Sequence, residues 1–202
     1  MPNPTPEIDS EAPLVLASGS AYRAEMLRRL PLPFEASASN VDETALPAEQ
    51  PEARAKRLAT AKAQALGQRF PDRWILGSDQ VAALGSVQLG KPGNVENARA
   101  QLQQMRGQSV DFWTALSLWH PASQRLLTAM DHTRVKVRAL SDAEIDRYLQ
   151  LESPLDCAGS FKVEGLGISL FEAVESNDPT ALIGLPLIAL CDRLRAIGVA
   201  LP

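Results

Sequence analysis

Asp79 stands where a carboxylate is expensive. The run over residues 74–84, WILGSDQVAAL, is apolar on both sides of it. An acid among such neighbours must be paired, hydrated or bound to a metal, which makes it a candidate for function. Other residues could share its chemistry. In SGSAYR, residues 18–23, Ser18 and Ser20 flank a glycine between an apolar run and a helical pattern. Such a junction presents unpaired backbone N–H groups, and Arg23 can aim a two-pronged donor at a phosphate. The ordinary alternative is a serine helix cap with a solvated arginine. Asp42 and Glu43 are adjacent acids in VDET, suited either to a divalent cation or to a simple turn. Lys62 falls on the apolar face of a helical pattern, where it either snorkels or reaches an anion. Lys91 sits in the tight loop LGKPG, and Lys162 and Glu164 sit in AGSFKVEGLG, whose glycines allow close approach of a ligand. Three lysines, one arginine and a few acids, without a usable histidine, suggest metal-assisted phosphate chemistry. The lysines would neutralise a polyphosphate, and the acids would hold the cation and orient a water. The Walker pattern G-x-x-x-x-G-K-[ST] is absent.

The elements that must carry these residues follow from periodicity. LVLAS over 14–18 reads as a buried strand, followed by a helix that ends at Pro31. FEASAS leads as a strand into VDET. Residues 51–70 read as a helix with Pro51 in its first turn and Ala55, Leu58, Ala59, Lys62 and Leu66 on one face. Residues 74–84 form a strand expected to break at GSDQ, and VQLGKPG returns as a short hairpin. Asn94 caps a helix over 94–107. Residues 109–121 and 125–140 alternate as strands, and Ser141 with Glu144 forms a capping box for the next helix. A Gly-rich segment and a strand precede a last helix from about Leu185 or Pro186. Strands and helices mix and partly alternate, so the fold class is α/β. Residues 1–12, Pro-rich and acidic, are expected to be a disordered tail, and 13–202 one domain.

A chain of 202 residues with 45% hydrophobic content can build one sizeable core or two lobes sharing a sheet. The net charge of −4 gives no global basic field, which argues against a nucleic-acid partner. No apolar run is long enough to span a bilayer, and there is no basic start followed by an apolar run, so a cytoplasmic location is expected. Cys157 and Cys191 have no metal-type spacing and are expected as buried thiols. With His120 and His132 the only histidines, a His-based triad has little to work with. Neither the serines nor Cys157 has a partnered base, so no covalent intermediate is expected.

SGSAYR, VDET, GSDQV, GKPG, FWTALSLW, CAGSFKVEGLG and ALIGLPLIAL, in this order and spacing, resemble the Maf family of nucleoside triphosphate pyrophosphatases. The resemblance covers roughly residues 14–194. It implies hydrolysis of a nucleoside triphosphate to the monophosphate and pyrophosphate with Mg or Mn. The implied fold is a mixed α/β one, an elongated sheet flanked by helices with two lobes around a deep cleft, similar to inosine triphosphate pyrophosphatases. By the same resemblance Ser18, Ser20 and Arg23 bind substrate, and Lys162 is assigned there from its Gly-rich surroundings. Glu43, Lys62 and Lys91 are catalytic beside Asp79, the general base, and Glu43 and Asp79 approach the metal. Three specificity positions, which carry Arg, Thr and Gln in relatives preferring dTTP or UTP, are here Tyr22, Gln80 and Glu164, as in the 7-methyl-GTP subgroup. A cationic 7-methylguanine ring could stack on Tyr22, and the Glu164 carboxylate could accept its N–H edge. The chain departs from the family pattern at Ala21, where a proline is usual. A homodimer is compatible with the family, and FWTALSLW could be core or interface. Two other readings stay open: a dTTP, UTP or damaged-nucleotide pyrophosphatase, and a nucleotide-binding regulator of septum formation that needs no turnover.

Overall fold

The structure, a computed structural model, describes residues 7–202. In chain order its strands are β1 Leu14–Leu16, β2 Phe34–Ala36, β3 Ile75–Leu84, β4 Val87–Leu89, β5 Ser109–His120, β6 Arg125–Val137 and β7 Phe171–Glu175. Its α-helices are α1 Ala21–Leu27, α2 Pro51–Ala65, α3 Val95–Met105, α4 Asp142–Leu151 and α5 Leu187–Ala196. The expected α/β class holds. One sheet runs in the order β2-β1-β3-β5-β6-β7, with β4 pairing on β3. The β1 pairings are parallel, and those from β3 onward are antiparallel.

The length of β3, β5 and β6 makes two lobes out of one sheet. At one end of these strands, Leu16, Leu76, Leu116 and Leu118 pack with Leu27 of α1 and Leu190 and Leu194 of α5. At the other end, Ala82, Phe112 and Val135 pack with Leu102 of α3 and Ile145 and Tyr148 of α4. FWTALSLW is therefore core: it lies on β5 between β3 and β6, with Phe112, Thr114, Leu116 and Leu118 buried. β3 is also unbroken. The polar GSDQ stays in ladder register, from Gly77 opposite Ser117 to Gln80 opposite Thr114. Its side chains find partners on both faces of the sheet, so burial does not force the strand to end.

α2 covers the second face of the sheet, with Ala55 and Ala59 against Val81 and Ala115, and Ala63 against Val15 and Ile75. It comes unusually near β3 at Gly77, where a Cβ would stand 2.1 Å from the Ala59 carbonyl oxygen and 2.7 Å from the Ala63 nitrogen. Only a glycine fits there, and this closeness is what lets a lysine of α2 reach β3. Gly77→Ala should lower stability by about 1–3 kcal/mol, the usual cost of overpacking. Thermal denaturation checks this, and an unchanged melting temperature would show that α2 yields freely.

The smaller expectations fare unevenly. Ser141 and Glu144 form the expected capping box, and the Asn94 side chain accepts the Asn97 N–H at 2.8 Å. Of the expected disordered tail, residues 1–6 lie outside the described residues. The stretch 7–12 is held in place: Ile8 packs on the first core cluster, and the Asp9 carboxylate accepts the Glu11 and Ala12 N–H groups at 2.8 Å. Cys157 and Cys191 are half-buried rather than buried thiols. Among the described residues no helix is long and apolar enough to cross a membrane.

Candidate active site

Side chains alternate along β3, and that alternation sorts its polar residues. Asp79 shares the α2 face with Gly77 and Val81, while Ser78 and Gln80 point to the opposite face. On α2, Leu58 and Lys62 are one turn apart and both buried, so the lysine points inward as its spacing predicts. Its ammonium meets the Asp79 Oδ1 at 2.5 Å and the Glu43 Oε1 at 2.7 Å. Lys62 and Asp79 are nearly buried, whereas the Glu43 side chain is 56% exposed. Burial pushes the Asp79 carboxyl above its ordinary value, and the Lys62 and Arg23 charges offset only part of that. For Glu43, burial is outweighed by the hydrogen bond and charge of Lys62, helped by Lys91 and Arg23, so its carboxyl lies below the ordinary value. The two acids of VDET part company. Asp42 accepts the Thr44 N–H at 2.9 Å and makes a turn, and only Glu43 joins the cluster.

The SGSAYR loop satisfies both readings of its serines. Ser20 is the N-cap of α1, and its hydroxyl accepts the Arg23 N–H. Ala21 is the first helical residue, a position that proline also suits, so α1 starts without it. Ser18 is buried, and its hydroxyl accepts from the Ser20 N–H at 3.1 Å and from an Arg23 terminal nitrogen at 3.4 Å. The rest of the Arg23 placement comes from the far end of the chain. Its Nε donates to the Gly184 carbonyl at 2.9 Å, and Ser78 donates to that same oxygen at 3.1 Å. Gly184 has φ 120°, a backbone region that favours glycine. The Gln80 amide and the Thr114 hydroxyl bind the carbonyls of Ala181 and Leu182, fixing this segment to the sheet. The sequence reading missed Ser78, Thr114 and Gly184. The ALIG run gave the only signal, because a glycine inside an apolar stretch marks an unusual backbone.

A cleft of about 880 Å³ between the two lobes gathers these groups. Ser18, Ser20, Tyr22, Arg23, Glu43, Lys62, Asp79, Gln80, Lys91 and Glu164 all line it. Lys91 and Glu164 are exposed along it. Lys162 is the predicted residue that does not line the cleft. Its backbone N–H donates to the Tyr148 hydroxyl at 3.1 Å. Cys157 lines the cleft, but burial and the neighbouring Asp156 push its thiol up to about 12, leaving no thiolate near neutral pH. His120 and His132 lie outside the cleft lining, paired with Ser123 and Asp111.

The arrangement can do two things chemically. Arg23, Lys62 and Lys91 can spread over a polyphosphate, and a partly protected carboxylate can accept a proton beside it. Asp79 and Glu43 converge on one ammonium, so a cation placed between them meets two carboxylates. Among the described residues no cluster of three or more His, Cys, Asp or Glu is suited to a metal. Two acids plus phosphate oxygens fit the hard-cation habit of Mg, which needs no all-protein cage.

Comparison with known proteins agrees with the motif order. Residues 13–197 match the family described as Maf-like protein. A "7-methyl-GTP pyrophosphatase" of Xanthomonas campestris pv. campestris (strain 8004) is 57% identical over 192 residues, 94% of this chain and 98% of its own. A protein of the same name from Aromatoleum aromaticum (strain DSM 19018 / LMG 30748 / EbN1) is 53% identical over 189 residues, 94% of this chain and 97% of its own. Among solved structures, the Staphylococcus aureus Ham1 protein covers 62% of this chain and 72% of its own at 14% identity, with a TM-score of 0.45. The match over nearly the whole length, together with seven motifs in one order, places this chain in the Maf family.

Proposed function

We propose that this chain hydrolyses 7-methyl-GTP to 7-methyl-GMP and pyrophosphate, with Asp79 as general base. One observation carries the reading: a nearly buried Asp79, bridged through Lys62 to Glu43, in a cleft that also holds Arg23 and Lys91. The name shared by the relatives at 53–57% identity supports the choice of substrate. A nucleoside triphosphate substrate also fits the expected cytoplasmic location.

The triphosphate lies along the loop of Ser18 and Ser20. Arg23, held by Gly184, is already oriented for it, so little side-chain entropy is lost on binding. Lys62 and Lys91 neutralise the charge that grows on the departing pyrophosphate. Lys62 keeps Asp79 ionised and occupies its Oδ1, which leaves Oδ2 to take the proton of the attacking water. Burial works in the base's favour, since a carboxyl raised above its ordinary value holds the proton better. Glu43 and Asp79 are the residues that would hold a Mg or Mn ion, which would supply charge neutralisation at the phosphates and lower the pKa of a bound water. Tyr22 and Glu164 both line the cleft, which supports assigning them the reading of a cationic base: Tyr22 by stacking, Glu164 by accepting an N–H and balancing the charge.

Product analysis tests the reaction. Chromatography should show 7-methyl-GMP and pyrophosphate in equal amounts, and 7-methyl-GDP with phosphate would refute the cleavage site. Tyr22→Leu tests the base. A cation–π contact is worth about 0.5–2 kcal/mol, so the preference for 7-methyl-GTP over GTP should fall by about two- to thirtyfold. Equal losses on both substrates would assign Tyr22 a role other than sensing the charge.

A further inference from the structure

Glu43 occupies an unlikely place for a precise carboxylate. Residues 37–50 contain no helix or strand, and Asn40 and Ala48 have φ of 48° and 56°. Yet the Glu43 carboxylate, more than half exposed, stands 2.7 Å from the Lys62 ammonium. Something other than local structure must hold the loop. The structure shows two arginines of α2 gripping its backbone. Arg54 donates through one terminal nitrogen to the Glu43 carbonyl at 2.8 Å, and through the other to the Gln88 side-chain oxygen on β4 at 2.6 Å. Gln88 in turn donates to the Glu49 carbonyl at 2.7 Å, at the far end of the same loop. Arg57 makes a two-pronged pair with the Glu49 carboxylate at 2.5 and 2.7 Å and also donates to the Thr44 carbonyl at 3.2 Å.

The two arginines differ in one respect. The Arg54 Nε–H is sealed from solvent and meets no acceptor. An unmet buried donor costs stability, and the surrounding contacts hold the guanidinium there nonetheless. Arg54 also lies on the helix face of Leu58 and Lys62, at successive steps of four residues, and it lines the cleft. One helix therefore carries both the ammonium that the Glu43 side chain meets and the guanidinium that fixes the Glu43 main chain.

We propose that Arg54 is a positioning residue that acts through Glu43, holding its carboxylate over Lys62 and Asp79; this rests on the proposed hydrolysis only for its kinetic consequence. Two measurements test it. The first needs no activity: hydrogen exchange at the amides of residues 42–46 in Arg54→Met against the unaltered protein. Faster exchange confined to this loop is expected, and unchanged exchange would overturn the proposal. The second is a double-mutant cycle with Glu43→Gln. Outer residues that orient a metal-approaching ligand typically change activity by 10–100-fold, so Arg54→Met should lower kcat by about that range with KM for 7-methyl-GTP little changed. In the Glu43→Gln background the further loss should nearly vanish. Arg54→Lys, which keeps the charge but cannot span both acceptors, should recover little. A full additive loss, or a raised KM at unchanged kcat, would make Arg54 a direct phosphate contact and overturn the positioning role. Should the unaltered protein turn over no nucleotide, the hydrolytic reading fails, and the exchange result decides the positioning claim by itself.

Discussion

Asp79→Asn should abolish most turnover of 7-methyl-GTP while leaving nucleotide binding in place. General-base catalysis contributes about 10²–10⁴-fold, and kcat should fall by that factor. The substitution keeps the shape of the side chain and one acceptor for the Lys62 ammonium, now 2.5 Å from Oδ1. Arg23 and Lys91 are untouched, so a calorimetric titration with 7-methyl-GTP should still report binding. Loss of binding together with turnover would instead make Asp79 a ligand-holding residue. Stability supplies a control with a definite sign. The Asp79 carboxyl is raised above its ordinary 3.8 in the folded state, so its contribution to stability is fully present below that value. It is lost as pH rises through the folded-state value. The Asn variant lacks this component, and its stability should therefore decline less than that of the parent protein across the same window.

Lys62→Met should have the second largest effect, and it should move the pH profile as well as the rate. Burial raises the Asp79 carboxyl, and Lys62 is the first of the groups that oppose it. With methionine in its place the carboxyl rises further. The ionised base is then lost at higher pH, so the acidic limb of kcat/KM should shift upward. Loss of a donor from the developing charge typically costs about 10²–10³-fold, and the rate above that limb should fall accordingly. Removing one partner of a buried pair also costs about 3–5 kcal/mol, so the variant should be less stable near neutral pH and recover as Asp79 takes a proton. A slower enzyme with an unmoved acidic limb would show that Lys62 serves the phosphates without tuning the base.

How much of this was legible beforehand varies from residue to residue. Lys62 was legible because three- and four-residue spacing put it on the face of Leu58 and Leu66. Asp79 was legible because a carboxylate in an apolar strand needs a reason. Their pairing was not, since it depends on Gly77 letting α2 approach β3, and a single glycine beside a serine reads first as a break. The same ambiguity produced the expected interruption at GSDQ, where the strand runs on because Ser78, Asp79 and Gln80 each meet a partner across the packing. Arg23 was legible as an anion-facing residue of the first loop, but its fastening to Gly184 spans 161 residues and has no local signature. For Lys162 the flanking glycines suggested a ligand within reach, but they carry no sign of the Tyr148 hydroxyl that its backbone N–H meets, or of its place outside the cleft lining. The 1–12 stretch looked disordered from its prolines and acids, while within 7–12 Ile8 packs on the first core cluster and Asp9 closes a local turn.

The most direct test of the central claim is pyrophosphate release from 7-methyl-GTP, GTP, dTTP and UTP, each with Mg or Mn, run beside Asp79→Asn. The proposed chemistry predicts the highest kcat/KM for 7-methyl-GTP and its near-complete loss in the variant. A preference for dTTP or UTP would contradict the roles given to Tyr22 and Glu164. Turnover that survives Asp79→Asn would contradict the mechanism itself.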